Sequence, residues 1–374
     1  MTTSDVIIVG GGVIGLATAL ELAEQGCTVT VVDRQAVGRE SSWAGAGMIP
    51  PGEIHLASPG YRQLAIASSA LWPEFSARVH ELTGIDDEYH NCGAVILPPA
   101  DDPAAIGDEI ADWHTQQIET QLLEGDQLRQ TSSRFFKGLD RAYLLPGQAQ
   151  VRNPRHLKAL IAGCRKLGVQ IREDESIERM TVQGNRLVSV SSEHEEFSGD
   201  RFLITAGAWS GFFGELLNVT LPVAPVRGQL VMVQLPEPFP FIVEQGKRYL
   251  VPRLDGRLLI GSTESLVGFD RTVEPDTIEV LQEFAASILP EVERLPVERS
   301  WCGFRPAATD RLPVLGQAPG IENVIIGTGH YRAGLSLCPV TARILSDLAL
   351  GRDVEFDLHD FRPERFAEPV AEHV

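Results

Sequence analysis

The chain opens on an unbroken apolar run, Val6-Ile-Ile-Val9, rich in β-branched side chains and followed by Gly10-Gly-Gly12. A run without polar alternation predicts a strand buried on both faces. Apolar residues then recur at Leu16, Ala17, Leu20 and Ala23, the spacing of one helix face, and Gly26 predicts the helix end. Val29-Thr-Val-Val32 is the next strand and ends at Asp33. Together they make one βαβ unit.

The same reading continues along the chain. Leu64, Leu71, Phe75, Val79 and Leu82 predict a helix over 62–82, with a strand at Gly93–Leu97 and polar helices over 103–116 and 124–131. Pro154 predicts a helix start, Leu167-Gly168 its end, and Val169-Gln-Ile171 a further strand. Phe202-Leu-Ile-Thr205 reads as another buried strand. Between 221 and 265, Leu230–Val233, Tyr249–Val251 and Leu258–Ile260 predict an antiparallel sheet, with a helix near 275–289. Val324-Ile-Ile326 then leads through Gly327-Thr-Gly329 into a helix expected over Leu335–Leu350. Pieces of an α/β domain thus stand at the start, middle and end, with β-rich insertions between them. Two interleaved domains are expected rather than two in tandem.

Charge and cysteine usage narrow the function classes. Fifty-one Asp and Glu face 32 Lys and Arg, a formal charge of −19. Such a field repels phosphate backbones and argues against general nucleic-acid binding. Five cysteines, at 27, 92, 164, 302 and 338, show no CxxC spacing, which argues against a disulfide framework and a metal site and suits the cytoplasm. No Lys or Arg precedes Arg34, so the basic start of a signal peptide is missing. The apolar stretch Val6–Leu20 is broken by glycines and is shorter than the ~20 residues that span a bilayer. No integral membrane segment is expected.

Gly10-x-Gly12-x-x-Gly15, set between the strand and the helix with Asp33 closing the second strand, is the dinucleotide fingerprint. The first glycine permits the tight turn, the second lets a pyrophosphate reach the backbone, and the third lets helix and strand pack closely. Free N–H groups at the helix start hold phosphate, and Asp33 accepts ribose hydroxyls. The fingerprint alone does not choose between NAD and FAD.

Further motifs make that choice. They are Ser41-Ser-Trp-Ala-Gly-Ala-Gly-Met48, Thr205-Ala-Gly-Ala-Trp-Ser210, Arg248-Tyr-Leu-Val-Pro-Arg253, Trp301-Cys-Gly-Phe-Arg-Pro306 with Asp310 and Pro313, and Gly329-His-Tyr-Arg-Ala-Gly334. With the fingerprint, and in this order, they make the chain resemble the D-amino acid oxidase family of flavoproteins almost end to end, closest to the bacterial glycine oxidases of thiamine biosynthesis. The resemblance implies a Rossmann-like FAD-binding domain (1–85, 147–220 and 300–374) interleaved with a smaller α+β substrate domain on an antiparallel sheet (86–146 and 221–299). It implies that FAD is lined by Gly10, Gly12, Val13, Ile14, Gly15, Asp33, Arg34, Ser41, Ser42, Ala46, Gly47, Met48 and Ile177. His330, Tyr331, Arg332, Ala333, Gly334, Leu335 and Ser336 complete the set. The helix expected from Leu335 would aim its positive end at the flavin and stabilise the reduced, anionic form.

Arg305 is the leading candidate for the substrate. Its planar fork suits a carboxylate, and its neighbours Trp301, Phe304 and Pro306 form an unusual setting for a solvated charge. The resemblance gives Arg305, Tyr249 and Arg332 as the catalytic set, Arg305 and Tyr249 on the carboxylate and Arg332 on the substrate side of the flavin. Met48 and Glu264 are expected beside the substrate. Two positions depart from the glycine oxidase pattern: Lys247 replaces a histidine and Glu264 a methionine. Cys302 lies near the cysteine that holds flavin covalently in the related sarcosine oxidases, but Arg305 favours non-covalent FAD.

The expected reaction is oxidative deamination of glycine, sarcosine, D-alanine or D-proline. Hydride passes from the α-carbon to flavin, O2 becomes H2O2, and the glycine imine is available for thiamine assembly. The alternatives are an FAD-dependent amino acid dehydrogenase with another acceptor, and a flavin-binding scaffold without turnover. The expected partners are a small amino acid and O2, and the resemblance implies a homo-oligomer, a tetramer in related enzymes.

Overall fold

The computed structural model describes residues 2–56, 58–99, 102–131 and 140–366. The first apolar run lies in the strand Thr2–Val9, between the parallel strands Val29–Val32 and Glu196–Ile204. Parallel pairing continues outward to Gln170–Arg172 on one side and Val324–Thr328 on the other. The hairpin of Arg179–Gln183 with Arg186–Ser191, and the antiparallel edge strand Val314–Gln317, complete eight strands. Val6 and Ile8 join one apolar cluster, Ile7 and Val9 another on the opposite face. That two-sided burial is why the run does not alternate.

The helix Val13–Glu24 packs on Asn153–Lys166 and Cys338–Ala349, and Pro59–Thr83 lies over both. Leu16 and Leu20 are fully buried there, each contributing about 1.5–3 kcal/mol.

The second sheet also has eight strands. Their order is Val297–Ala308, Val223–Gln234, Arg257–Gly261, Arg248–Pro252, Ile242–Gln245, Ala94–Leu97, Arg141–Leu145 and Gln121–Glu124. Neighbours are antiparallel except Ile242–Gln245 with Ala94–Leu97. The helix Pro275–Ile288 covers one face through Leu281, Phe284, Ala285 and Ile288. On the other face Tyr143, Leu230, Tyr249 and Trp301 pack with Ala46 and Met48. The architecture is the interleaved one the sequence predicts.

Two differences bear on the site. The strand Val297–Ala308 was not visible in the sequence because Glu298, Arg299 and Ser300 interrupt its apolar pattern. It pairs along its length with Val223–Gln234, so the boundary at 300 falls inside a strand of the second sheet. The last helix begins at Cys338 rather than Leu335, with Pro339 in its first turn, an isolated bridge at His330 and turns over residues 331–337. Among the described residues, no helix is long and apolar enough to cross a membrane.

Arg253, at the end of the second sheet, ties it to a small third sheet of Met48–Ile49, Ala149–Gln150 and His90–Asn91 and the segments flanking it. It is 6% exposed and donates through Nη1 to Gln150 Oε1 (2.9 Å) and the Val151 carbonyl (3.1 Å), and through Nη2 to the Ala46 carbonyl (2.8 Å). Burial lowers its pKa to about 10. Replacing Arg253 by Met leaves these acceptors unpaired and should cost roughly 2–4 kcal/mol. Chemical denaturation measures this, and a loss below about 1 kcal/mol would remove the tie from the account.

Candidate active site

A cavity of about 430 Å³ is lined by residues of both sheets. Its floor at one end is the glycine turn. Gly10 has φ +112°, and a Cβ there would stand 2.5 Å from the Thr205 carbonyl oxygen. A Cβ on Gly15 would stand 2.0 Å from the Gly10 carbonyl oxygen, so the third glycine serves close packing. At Gly12 a Cβ meets only Ser42 Oγ, at 3.3 Å, and the space it leaves belongs to the cavity. The start of the helix Val13–Glu24 is therefore open to a ligand, with Val13 N–H donating to Ser42 Oγ at 2.9 Å.

Acidic acceptors stand beside this turn. Asp33 accepts the Gly11 N–H at 2.7 Å and the Gln35 N–H at 3.1 Å, and burial raises its pKa. Each carboxylate oxygen keeps a second lone pair for a hydroxyl. The Arg34 guanidinium lies 3.7 Å from the centre of the Trp209 ring and pairs with Glu40 at 2.9 Å. Glu40 Oε2 and Asn153 Oδ1 are buried without a hydrogen-bond partner, and both residues line the cavity. Phosphate-binding N–H groups, acids for ribose hydroxyls and unpaired acceptors fit the FAD that the resemblance implies.

The other end carries Arg305. Nη1 donates to the Thr263 carbonyl at 2.9 Å and Nη2 to Ser262 Oγ at 2.7 Å. Among the described residues no carboxylate is paired with it, and its exposed part faces the cavity. Desolvation lowers its pKa. The guanidinium lies flat on Gly228, where a Cβ would stand 2.4 Å from both terminal nitrogens. Tyr249 lies likewise across Gly261, where a Cβ would stand 2.6 Å from its hydroxyl. His330 also lines the cavity. Burial lowers its pKa to about 4, so it stays neutral, 3.1 Å from Thr341 Oγ1.

Most of the expected residues meet on this wall: Gly10, Gly12, Val13, Ile14, Asp33, Arg34, Ser41, Ser42, Ala46, Gly47, Met48, Ile177, Tyr249, Arg305, His330, Tyr331, Arg332, Gly334 and Leu335. Gly15, Glu264, Ala333 and Ser336 are not on it. Gly15 is spent on packing, Ala333 packs on the apolar core, and the Ser336 carbonyl accepts from Ser68 and Trp72. Because the helix starts at Cys338, the turns before it bring Gly334 and Leu335 to the wall instead of a helix end. Glu264 binds Lys247, Tyr331 and Arg332. Cys302 lies on the face of its strand opposite Gly303 and Arg305, its thiol donating to the Arg271 carbonyl at 3.3 Å. That geometry turns the Cys302 thiol away from the cavity.

Sequence reading missed Glu40, Asn153, Gly228, Gly261 and the Ser262–Thr263 pair. Asn153 had a local signal, since it precedes the proline that opens a helix. The two glycines had none before the strand register was known.

The FAD dependent oxidoreductase family model, DAO, matches residues 5–348. A glycine oxidase of Pseudomonas aeruginosa is 37% identical over 96% of this chain and 98% of its own length. The bifunctional protein ThiO/ThiG of Synechocystis sp. is 32% identical over 98% of this chain, which spans 54% of that longer protein. The crystal structure of glycine oxidase from Geobacillus kaustophilus matches with a TM-score of 0.94 and 30% identity, covering 98% of this chain and 99% of that one. With the match running from the first strand into the last helix, the chain belongs to the FAD dependent oxidoreductase family.

Proposed function

We propose that this protein oxidises glycine or another small amino acid, with O2 as the final acceptor and H2O2 as product. The observation that carries this reading is Arg305: a fork without a carboxylate partner, facing the cavity and fixed from behind by Ser262 and Thr263. Each terminal nitrogen keeps a further N–H, so a substrate carboxylate completes the set bidentately. Tyr249 lies beside it on the same wall and donates its hydroxyl to the same carboxylate. Holding that group fixes the α-carbon within the cavity, which is the main contribution of positioning. FAD, when bound at the glycine turn and the Ser41–Met48 loop, supplies the two-electron oxidant. His330 adds no charge, and the substrate amine loses its proton to water.

Arg332 stands at the same end of the cavity and orients the substrate. The identities to glycine oxidases support glycine over larger amino acids. The likeness to a ThiO/ThiG protein supports a neighbouring step that consumes the imine, as thiamine assembly does. Five free cysteines support a reducing cytoplasm, and the resemblance supports a homo-oligomer.

The purified yellow protein, mixed with glycine without oxygen, should lose its flavin colour, and in air it should release peroxide. Bleaching without peroxide would make it a dehydrogenase. Colour unchanged by glycine, sarcosine, D-alanine and D-proline would overturn the reading.

Gly228→Ala tests the anchor from the side of the sheet. It should raise the substrate KM about 10- to 100-fold, the loss of one or two charge-assisted bonds, while FAD stays bound. An unchanged KM would show that Arg305 does not need its glycine floor.

A further inference from the structure

Glu264 stands where three segments converge at the Arg305 end of the cavity. Its Oε2 accepts from Lys247 Nζ at 2.7 Å, and its Oε1 accepts from Arg332 Nη1 at 3.2 Å and from the Tyr331 hydroxyl. The Glu264 side chain is 19% exposed and that of Lys247 67%, so the lysine is largely in water while the acid is not. Tyr331 holds φ +51°, a left-handed conformation unusual for a side chain of this size, and its N–H is fixed to the Pro306 carbonyl at 2.8 Å. The backbone thus commits Tyr331 to this contact. These donors hold the Glu264 pKa at about 2, against the opposing effect of burial. The acid is therefore ionised at neutral pH.

Arg332 lines the cavity and lies within electrostatic reach of Arg305. Glu264 does not itself line the cavity; it pairs directly with Arg332 and lies within weaker electrostatic reach of Arg305. Two arginines facing one small cavity would suit a substrate with two carboxylates. With Arg332 paired from behind, Arg305 remains the arginine at this end without a carboxylate in direct contact among the described residues.

We infer that Glu264 determines the charge class of the substrate, restricting the cavity to amines that carry a single carboxylate, and that its removal frees Arg332 to take a second one. The inference rests on the reading above that Arg305 anchors a carboxylate.

The test is equilibrium binding, which needs no turnover. The FAD-loaded protein is titrated with acetate, malonate, succinate and glutarate, and the flavin spectrum is followed. Glu264→Gln and Glu264→Met remove the charge at similar volume, and Glu264→Asp keeps it. The affinity of the best diacid relative to acetate should rise about tenfold or more in the first two, the worth of one charge-assisted contact, and stay near wild type in the third. With amines, the same two variants should lower KM for iminodiacetate relative to glycine.

An unchanged diacid preference in Gln and Met, or an equal rise in Asp, overturns the inference while leaving the anchor intact. If acetate binds wild type and Arg305→Met equally, the anchor reading itself fails, and this inference falls with it.

Discussion

An arginine fork without an acid partner is the constraint on which the substrate end of this structure depends. Arg305 is desolvated, yet among the described residues only neutral oxygens, the Thr263 carbonyl and Ser262 Oγ, accept its hydrogen bonds. A cation so placed is costly unless something else completes it. In the proposed reading, a carboxylate entering the cavity would supply that completion. Gly228 gives the guanidinium a flat floor, Gly261 does the same for Tyr249, and strand alternation puts Gly303 and Arg305 on the cavity side.

The two sheets divide the labour. The parallel sheet ends in a helix start and an acidic strand end, which suit phosphate and ribose. The second sheet carries Arg305, the charge proposed to select the other reactant. A cavity between them works only if the sheets hold their relative position. Arg253 contributes by bonding at once to Gln150, Val151 and Ala46, which joins the second sheet to the small sheet and to the loop Ser41–Met48 that line the cavity's flank.

The cofactor end was legible in the sequence because its chemistry is local. Gly10 to Asp33 is one βαβ unit, where spacing alone brings the three glycines and the acid together. Arg305 was legible through its apolar neighbours. Gly228 and Gly261 were not, because each matters through a strand partner that only the register of the second sheet reveals. Glu264 was expected beside the substrate, but its partners Lys247 and Arg332 lie 17 and 68 residues away, and together they draw it off the cavity wall. The last helix was placed three residues early because the turns over 331–337 carry the same small and apolar residues as a first helical turn.

The most direct measurement is a titration of the FAD-bound protein with glycolate, a carboxylate lacking the amine, in wild type and in Arg305→Met. A saturable change in the flavin spectrum of the wild type is expected. In the variant the affinity should fall by about 30-fold or more, the worth of a bidentate charged contact, with FAD content unchanged. Equal affinities in the two proteins would show that the carboxylate is held elsewhere and would contradict the account.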